Sequence, residues 1–340
     1  MFATLAPMSG ALTLATCDMW KLHDASNNPL VLALGRHAEL RPAKVAHADV
    51  VLYSVFGQRH QALRRTAVAM SVEPFLPDAR YAQWTADWRH HPSDHHLRYP
   101  YWAVQLLSPS GSSLLSTSRE ALTETSAPPP RFCNFIYSNG QCQMRNAFFA
   151  ALHDRKPVDA LGWVFRNAED ARLGPRDERQ WGATKRQVLA DYRFTIAFEN
   201  TEHPGYTTEK MVDAWLAGSV PIYWGNPAVV ADFPAGSYLS LYEAGSMAKL
   251  IEQVLEAEHE PERFQQLRRA NPVITGLLAQ RVAERADRLE RFAADVAADA
   301  LQHSGRRRRS LHSLLLRRPP QVVASGVRAA RRAVAIRLGG

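Results

Sequence analysis

A chain of 340 residues with 46% apolar side chains is long and apolar enough for one large or two medium cores, which excludes an intrinsically disordered protein. The formal charge of +8 is unevenly spread: ten arginines and no acid fall between Leu301 and Gly340, and setting those ten aside from the 41 lysines and arginines leaves 31 basic against 33 acidic residues in 1–300. The composition therefore describes a near-neutral globule followed by a strongly basic tail.

Residues 1–17 are mildly apolar, carry no basic start and are too short to span a bilayer. Between residues 30 and 107, short apolar runs (LVLALG, DVVLYSVFG, YWAVQLL) alternate with polar segments, as in an α/β domain. The histidines at 90, 91, 95 and 96 lack helical i, i+4 spacing and sit among Pro, Ser and Asp, so a solvated loop is expected there rather than zinc. Residues 108–131 shift to Ser, Thr and Pro and read as an interdomain linker. A second α/β block runs from Phe132 to about residue 275, and residues 276–300 form an amphipathic helical stretch with Leu278, Val282, Leu289, Phe292 and Val296 among charges. Three cysteines, Cys17, Cys133 and Cys142, are an odd number at no metal-like spacing and point to a reduced compartment. No Asn-x-Ser/Thr acceptor occurs, so a cytosolic bacterial protein is expected.

In the tail, Val323, Val327, Ala330, Val334 and Leu338 share one helical face while Arg328, Arg331 and Arg332 share the opposite one. This pattern fits an anchor on an anionic membrane surface at the cytoplasmic face. A solvated basic tail is the plainer alternative. No aromatic is interleaved for base stacking, so nucleic acid is not expected as a partner.

The run from Phe194 to Pro227 is the most informative. FTIAF predicts a buried strand, the apolar positions Met211, Val212, Ala214 and Trp215 predict a helix over 208–217, and SVPIYWG predicts a second strand after the stop at Gly218. This is a strand–helix–strand unit of a parallel sheet, with its polar residues where the first strand hands over to the helix. Lys210 falls in the first helical turn, where a cation is disfavoured by roughly 0.3–1 kcal/mol, unless an anion binds there. A solvated lysine beside Glu209 is the plainer alternative.

Glu199-Asn200, Gly205-Tyr206, Thr208-Glu209-Lys210, Asp213-Ala214 and Val220 to Gly225 together resemble the signature of the α-1,3/4-fucosyltransferases, glycosyltransferase family 10. Further stretches agree in order: Ala48 to Ser54, Glu73 with Pro77-Asp78, Leu97 to Trp102, and Tyr137-Ser138-Asn139 with Arg145-Asn146. The segment at Glu73 departs from the family pattern, with Ser71-Val72 before the glutamate; a competing register would place Met70, which cannot take a proton.

The resemblance implies a GT-B fold, two doubly wound Rossmann-like α/β domains facing across a cleft. The expected organisation is an acceptor-binding domain at 1–125, a nucleotide-sugar domain with closing helices at 126–300, and the basic amphipathic tail at 301–340. The implied reaction is inverting transfer of L-fucose from GDP-fucose to a hydroxyl of an oligosaccharide or lipid-linked glycan, the 3-OH of GlcNAc or its 4-OH. Glu73 is implied as the base, Arg145 and Lys210 as diphosphate cations, and Ser138, Asn139, Asn200, Tyr206 and Glu209 as further donor contacts. No Asp-x-Asp occurs, so no metal cofactor is required and Mn²⁺ or Mg²⁺ is at most stimulatory. Two other readings stay open: a non-catalytic relative docking anionic membrane or nucleic acid through its tail, and a transferase for another nucleotide sugar.

Overall fold

The computed structural model describes residues 10–20, 23–62, 66–122, 127–174 and 181–304. Nearly all of the expected basic tail, from residue 305 on, lies outside the described residues.

The first sheet has six parallel strands: β1 (Ala11–Cys17), β2 (Glu39–Pro42), β3 (Val50–Tyr53), β4 (Thr66–Met70), β5 (Trp84–Asp87) and β6 (His96–Arg98). Their order is β2-β1-β3-β4-β5-β6. Period-2 alternation divides each strand between two faces. Val50, Leu52, Val68 and Met70 enter one core, and Val51, Tyr53, Ala67 and Ala69 enter a smaller one. Helix α1 (Pro29–His37) supplies Leu30, Ala33 and Leu34 to the larger core.

Helices α2 (Tyr101–Leu107) and α3 (Pro109–Ala121) then lead to the second sheet. It consists of β7 (Arg131–Phe135), β8 (Asp159–Ala160), β9 (Tyr192–Ile196), β10 (Val220–Tyr223) and β11 (Leu239–Ser240), all parallel, in the order β11-β10-β9-β7-β8. One face packs on α4 (Gln143–His153), α8 (Met247–His259) and α9 (Pro261–Arg269) through Phe135, Phe148, Phe194, Leu250 and Phe264. Tyr223 and Ala197, on the opposite side, share a core with Met211, Val212 and Trp215 of α6 (Glu209–Leu216). Helices α5 (Trp181–Leu189) and α7 (Leu241–Ala244) complete this domain. The strand, helix and strand expected between 194 and 225 are thus β9, α6 and β10.

Two features differ from the sequence-based organisation. The stretch expected as a linker contains the 13-residue helix α3, and Trp102, Ala103 and Leu106 of α2 lie in the α6 core of the second domain. The Ser and Thr residues of α3 made it read as polar spacer, although Leu114 and Leu115 provide a packing edge. The closing helix α10 (Leu277–Ser304) starts in the second domain, with Leu278 in the α6 core. Its later half returns to the first sheet, where Leu289, Phe292, Ala293, Val296, Ala297 and Ala300 complete the larger core. A parallel sheet must be covered on both faces. One face of the first sheet is covered by α1 and α10, with Val104 and Leu107 of α2 packed at the same core, and the other by Ala43, Val45, Tyr81 and Ala82.

Candidate functional site

In an open parallel sheet, ligands bind beyond the carboxyl ends of the strands where the strand order reverses. In the second sheet that point lies between β7 and β9. A cavity of about 120 Å³ opens there, lined by Asn134, Tyr137, Ser138, Asn139, Trp181, Lys185, Thr195, Asn200, Glu209 and Lys210.

The loop after β9 is set by Glu199, whose side chain is fully buried. Its carboxylate accepts hydrogen bonds from the Thr208 N–H (2.7 Å), the Thr208 hydroxyl (2.7 Å) and Lys210 Nζ (2.9 Å). Opposite Glu199, Gly225 sits at φ +141°, and a Cβ there would come within 2.4 Å of the Glu199 Cβ, so no side chain fits. These contacts answer the oddity of Lys210. The lysine is not solvated: its side chain is 12% exposed and pairs with Glu199 at the start of α6. Burial alone would weaken its charge, but Glu199 and Glu209 raise its pKa above the usual ammonium value. Burial likewise works against the Glu209 carboxylate, but Lys210 and Lys185 hold its pKa below the usual range.

Arg145, on α4, is fully buried behind the cavity. Nη1 donates to Asn200 Oδ1 at 2.8 Å, Nη2 donates to the Asn139 carbonyl, and the guanidinium lies 3.9 Å from the centre of the Tyr137 ring. The Tyr137 hydroxyl donates to the carbonyls of Ile196 (2.7 Å) and Phe198 (3.0 Å), which fixes the ring. Arg145 Nε has no hydrogen-bond partner, and no carboxylate pairs with Arg145 among the described residues. A buried cation without a counter-charge is costly.

The cavity thus gathers Ser138, Asn139, Asn200, Glu209 and Lys210, with Arg145 bonded to two of its lining residues. Tyr206 and Glu73 stand outside it, toward the first domain. Glu73 follows β4 in a pinned loop: Trp88 Nε1 donates to its carbonyl at 2.8 Å, and its N–H donates to the Ser71 hydroxyl at 3.2 Å. The competing Met70 is a buried residue of β4. The Trp88 ring lies 5.4 Å from His203 and 5.5 Å from Tyr206, both of the second domain. Burial raises the pKa of the Tyr206 hydroxyl far above its usual value, and the charges of Glu199, Glu73 and Glu209 add to this. Asn134, Trp181, Lys185 and Thr195 escaped the sequence reading. Asn134 had a signal, a polar residue inside the buried strand RFCNF; Lys185 and Trp181 sit on a mainly polar helix whose pattern marks no special face.

Two parallel α/β domains with a polar cavity at the switch point of the second define the GT-B class. A crystal structure of an α1,3-fucosyltransferase with GDP-fucose has the same fold, with a TM-score of 0.64 at 22% identity over 80% of this chain and 85% of that one. Residues 130–273 match the family model of the glycosyltransferase family 10 (fucosyltransferase) C-terminal domain. The second domain is therefore similar to the C-terminal domain of that family. The alpha-(1,3)-fucosyltransferase FucT of Helicobacter pylori is 36% identical over 123 residues, and an alpha-(1,4)-fucosyltransferase of Arabidopsis thaliana is 34% identical over 84. These matches span 36% and 25% of this chain and only 24% and 21% of the two relatives.

Proposed function

We propose that the chain transfers L-fucose from GDP-fucose to a glycan hydroxyl, the 3-OH or 4-OH of GlcNAc, with inversion. The observation that carries this reading is Arg145, a buried guanidinium without a carboxylate partner among the described residues, beside a cavity also lined by Lys185 and Lys210. An anion such as a diphosphate supplies the missing charge. In the proposed step Glu73 takes the proton of the acceptor hydroxyl, that oxygen bonds to the fucosyl carbon, and the bond from that carbon to the phosphate oxygen breaks. Arg145 and Lys210 meet the charge that gathers on the departing GDP. Asn200 and Tyr206 orient the donor, Glu209 accepts from sugar or ribose hydroxyls, and Ser138 and Asn139 form the cavity wall. The deciding experiment incubates the protein with a panel of nucleotide sugars and glycans and weighs the products. A fucosyl adduct from GDP-fucose is expected; an adduct only from another donor, or none from any, would displace the reading.

Among the described residues, no group of three or more His, Cys, Asp and Glu side chains could hold a metal ion. With cationic side chains meeting the diphosphate, transfer is expected to persist in excess EDTA. Complete loss on chelation, restored by Mn²⁺, would contradict this.

Among the described residues, no helix is long and apolar enough to cross a membrane. We propose that the ten tail arginines hold the protein on an anionic membrane at the cytoplasmic face, next to a lipid-linked acceptor. Each basic residue near such a surface contributes about 1 kcal/mol. Because α10 runs to Ser304, and Leu301 packs against the first core, the tail is best removed after Ser304. That truncate should leave anionic liposomes yet keep turnover on a soluble acceptor. The binding of the full chain should fall as salt shrinks the Debye length from about 10 Å at 0.1 M to about 3 Å at 1 M. Equal liposome binding by both forms would show that the tail is not the anchor.

A further inference from the structure

A second and larger concavity, about 660 Å³, lies beside the domain junction between the loop 90–98 and α10. This is the size of pocket that holds small ligands. Arg288 and Arg291 project into it from the exposed side of α10, one turn apart. Neither has a carboxylate partner among the described residues. Behind them, Arg98 and Arg285 share the single buried carboxylate of Asp232, Arg98 through two bonds of 2.6 Å and Arg285 through one of 3.2 Å. Arg98 Nε and Arg285 Nη1 are left without partners. Burial, reinforced by the neighbouring Arg98, lowers the Arg285 pKa to about 10, as expected where positive charge exceeds negative. The opposite wall offers imidazoles and the Ser93 hydroxyl, groups that hydrogen-bond sugar hydroxyls; Asp94 and Asp295 also line the groove.

The groove adjoins the proposed reaction site. Arg98 Nη2 donates to the Gly205 carbonyl at 3.2 Å, and a Cβ at Gly205 would lie 2.6 Å from the Trp88 carbonyl and 3.2 Å from His90. Gly205 precedes Tyr206, and Trp88 holds Glu73. The segment from Trp88 to His90 therefore joins the Glu73 loop at one end to the wall of the groove at the other.

We propose that this groove is an acceptor subsite for an acidic sugar, one bearing a carboxylate or phosphate, held by Arg288 and Arg291 beyond the sugar that receives fucose. The inference rests on the transferase reading above. Two guanidiniums a turn apart form the paired fork suited to such oxyanions, and the flanking imidazoles and hydroxyl suit the rest of a saccharide.

The test uses the full chain, the double variant Arg288→Gln/Arg291→Gln, and Arg269→Gln as a control cation elsewhere on the surface. Acceptors are N-acetyllactosamine, the same glycan capped with sialic acid, and the same glycan carrying a phosphate. The double variant should raise KM for an acidic acceptor by about 10-fold, the scale of losing charge-assisted hydrogen bonds, with kcat unchanged. KM for the neutral glycan should stay within about 2-fold, and Arg269→Gln should change nothing. Whichever acidic arm responds identifies carboxylate or phosphate as the group read. Calorimetric titration of each glycan without donor gives a second readout. Acidic glycans that bind the parent but not the double variant support the subsite even if no fucose is transferred, in which case the donor reading alone fails. Equal affinity of parent and double variant for every acidic glycan, or no preference of the parent for acid over neutral glycan, would overturn the subsite.

Discussion

Glu73→Gln should lower kcat by roughly 10²–10⁴-fold, the contribution of a positioned general base, while GDP binding measured by calorimetry stays unchanged. The substitution preserves size, but it removes the negative charge and the capacity to accept a proton and turns one acceptor oxygen into a donor. Two backbone contacts of residue 73 are untouched by it: Trp88 Nε1 to the carbonyl and the N–H to Ser71. The proposed donor cavity lies on the other domain, so GDP affinity reports independently that this site is intact. Normal turnover with normal GDP binding would move the base elsewhere. Asp78 would be a poor substitute, since hydrogen bonds from the Arg80 side chain, the closest at 2.6 Å, hold its carboxyl below the usual range.

Arg145→Ala and Lys210→Ala should each cost at least about 10² in kcat, the scale of losing one preorganised donor to a developing charge. The two variants should differ in stability. Lys210→Ala strips the buried Glu199 of its cation, and breaking a buried pair costs about 3–5 kcal/mol, so its melting temperature should fall clearly. Arg145 has no such acid to abandon. Arg145→Lys separates charge from geometry: it keeps the cation but cannot span both the Asn139 carbonyl and Asn200. Partial activity in that variant is expected. Near-native turnover in Arg145→Ala or Lys210→Ala would remove that residue from the site.

Local elements were legible because the apolar runs in the second half are short, dense and closed by strong stop residues. FTIAF and VPIYW could only be buried strands, and the β9–α6–β10 unit follows from them. What could not be read was partnership over long sequence separation. Lys210 in a first helical turn looked unsatisfied because the carboxylate that answers it, Glu199, lies 11 residues earlier and reaches it only through the turn between β9 and α6. Arg145 meets Asn200 across 55 residues, and Arg98 meets Asp232 across 134. Periodicity marked α10 as amphipathic, but its apolar stripe does not say which sheet it will cover, and in the fold it packs on both domains.

The return of α10 to the first sheet sets an order of events during synthesis. The second domain is encoded between the strands of the first domain and the segment that finishes their cover. A ribosome adding about 5–20 residues per second therefore completes the second domain while Leu12, Val50, Leu52 and Val68 still lack their α10 partners. Those residues meet Phe292 and Val296 only after the whole second domain has emerged. The nascent first domain thus has α1 but not α10 over its larger core for roughly 10–40 seconds, an interval in which apolar surface of that sheet is exposed.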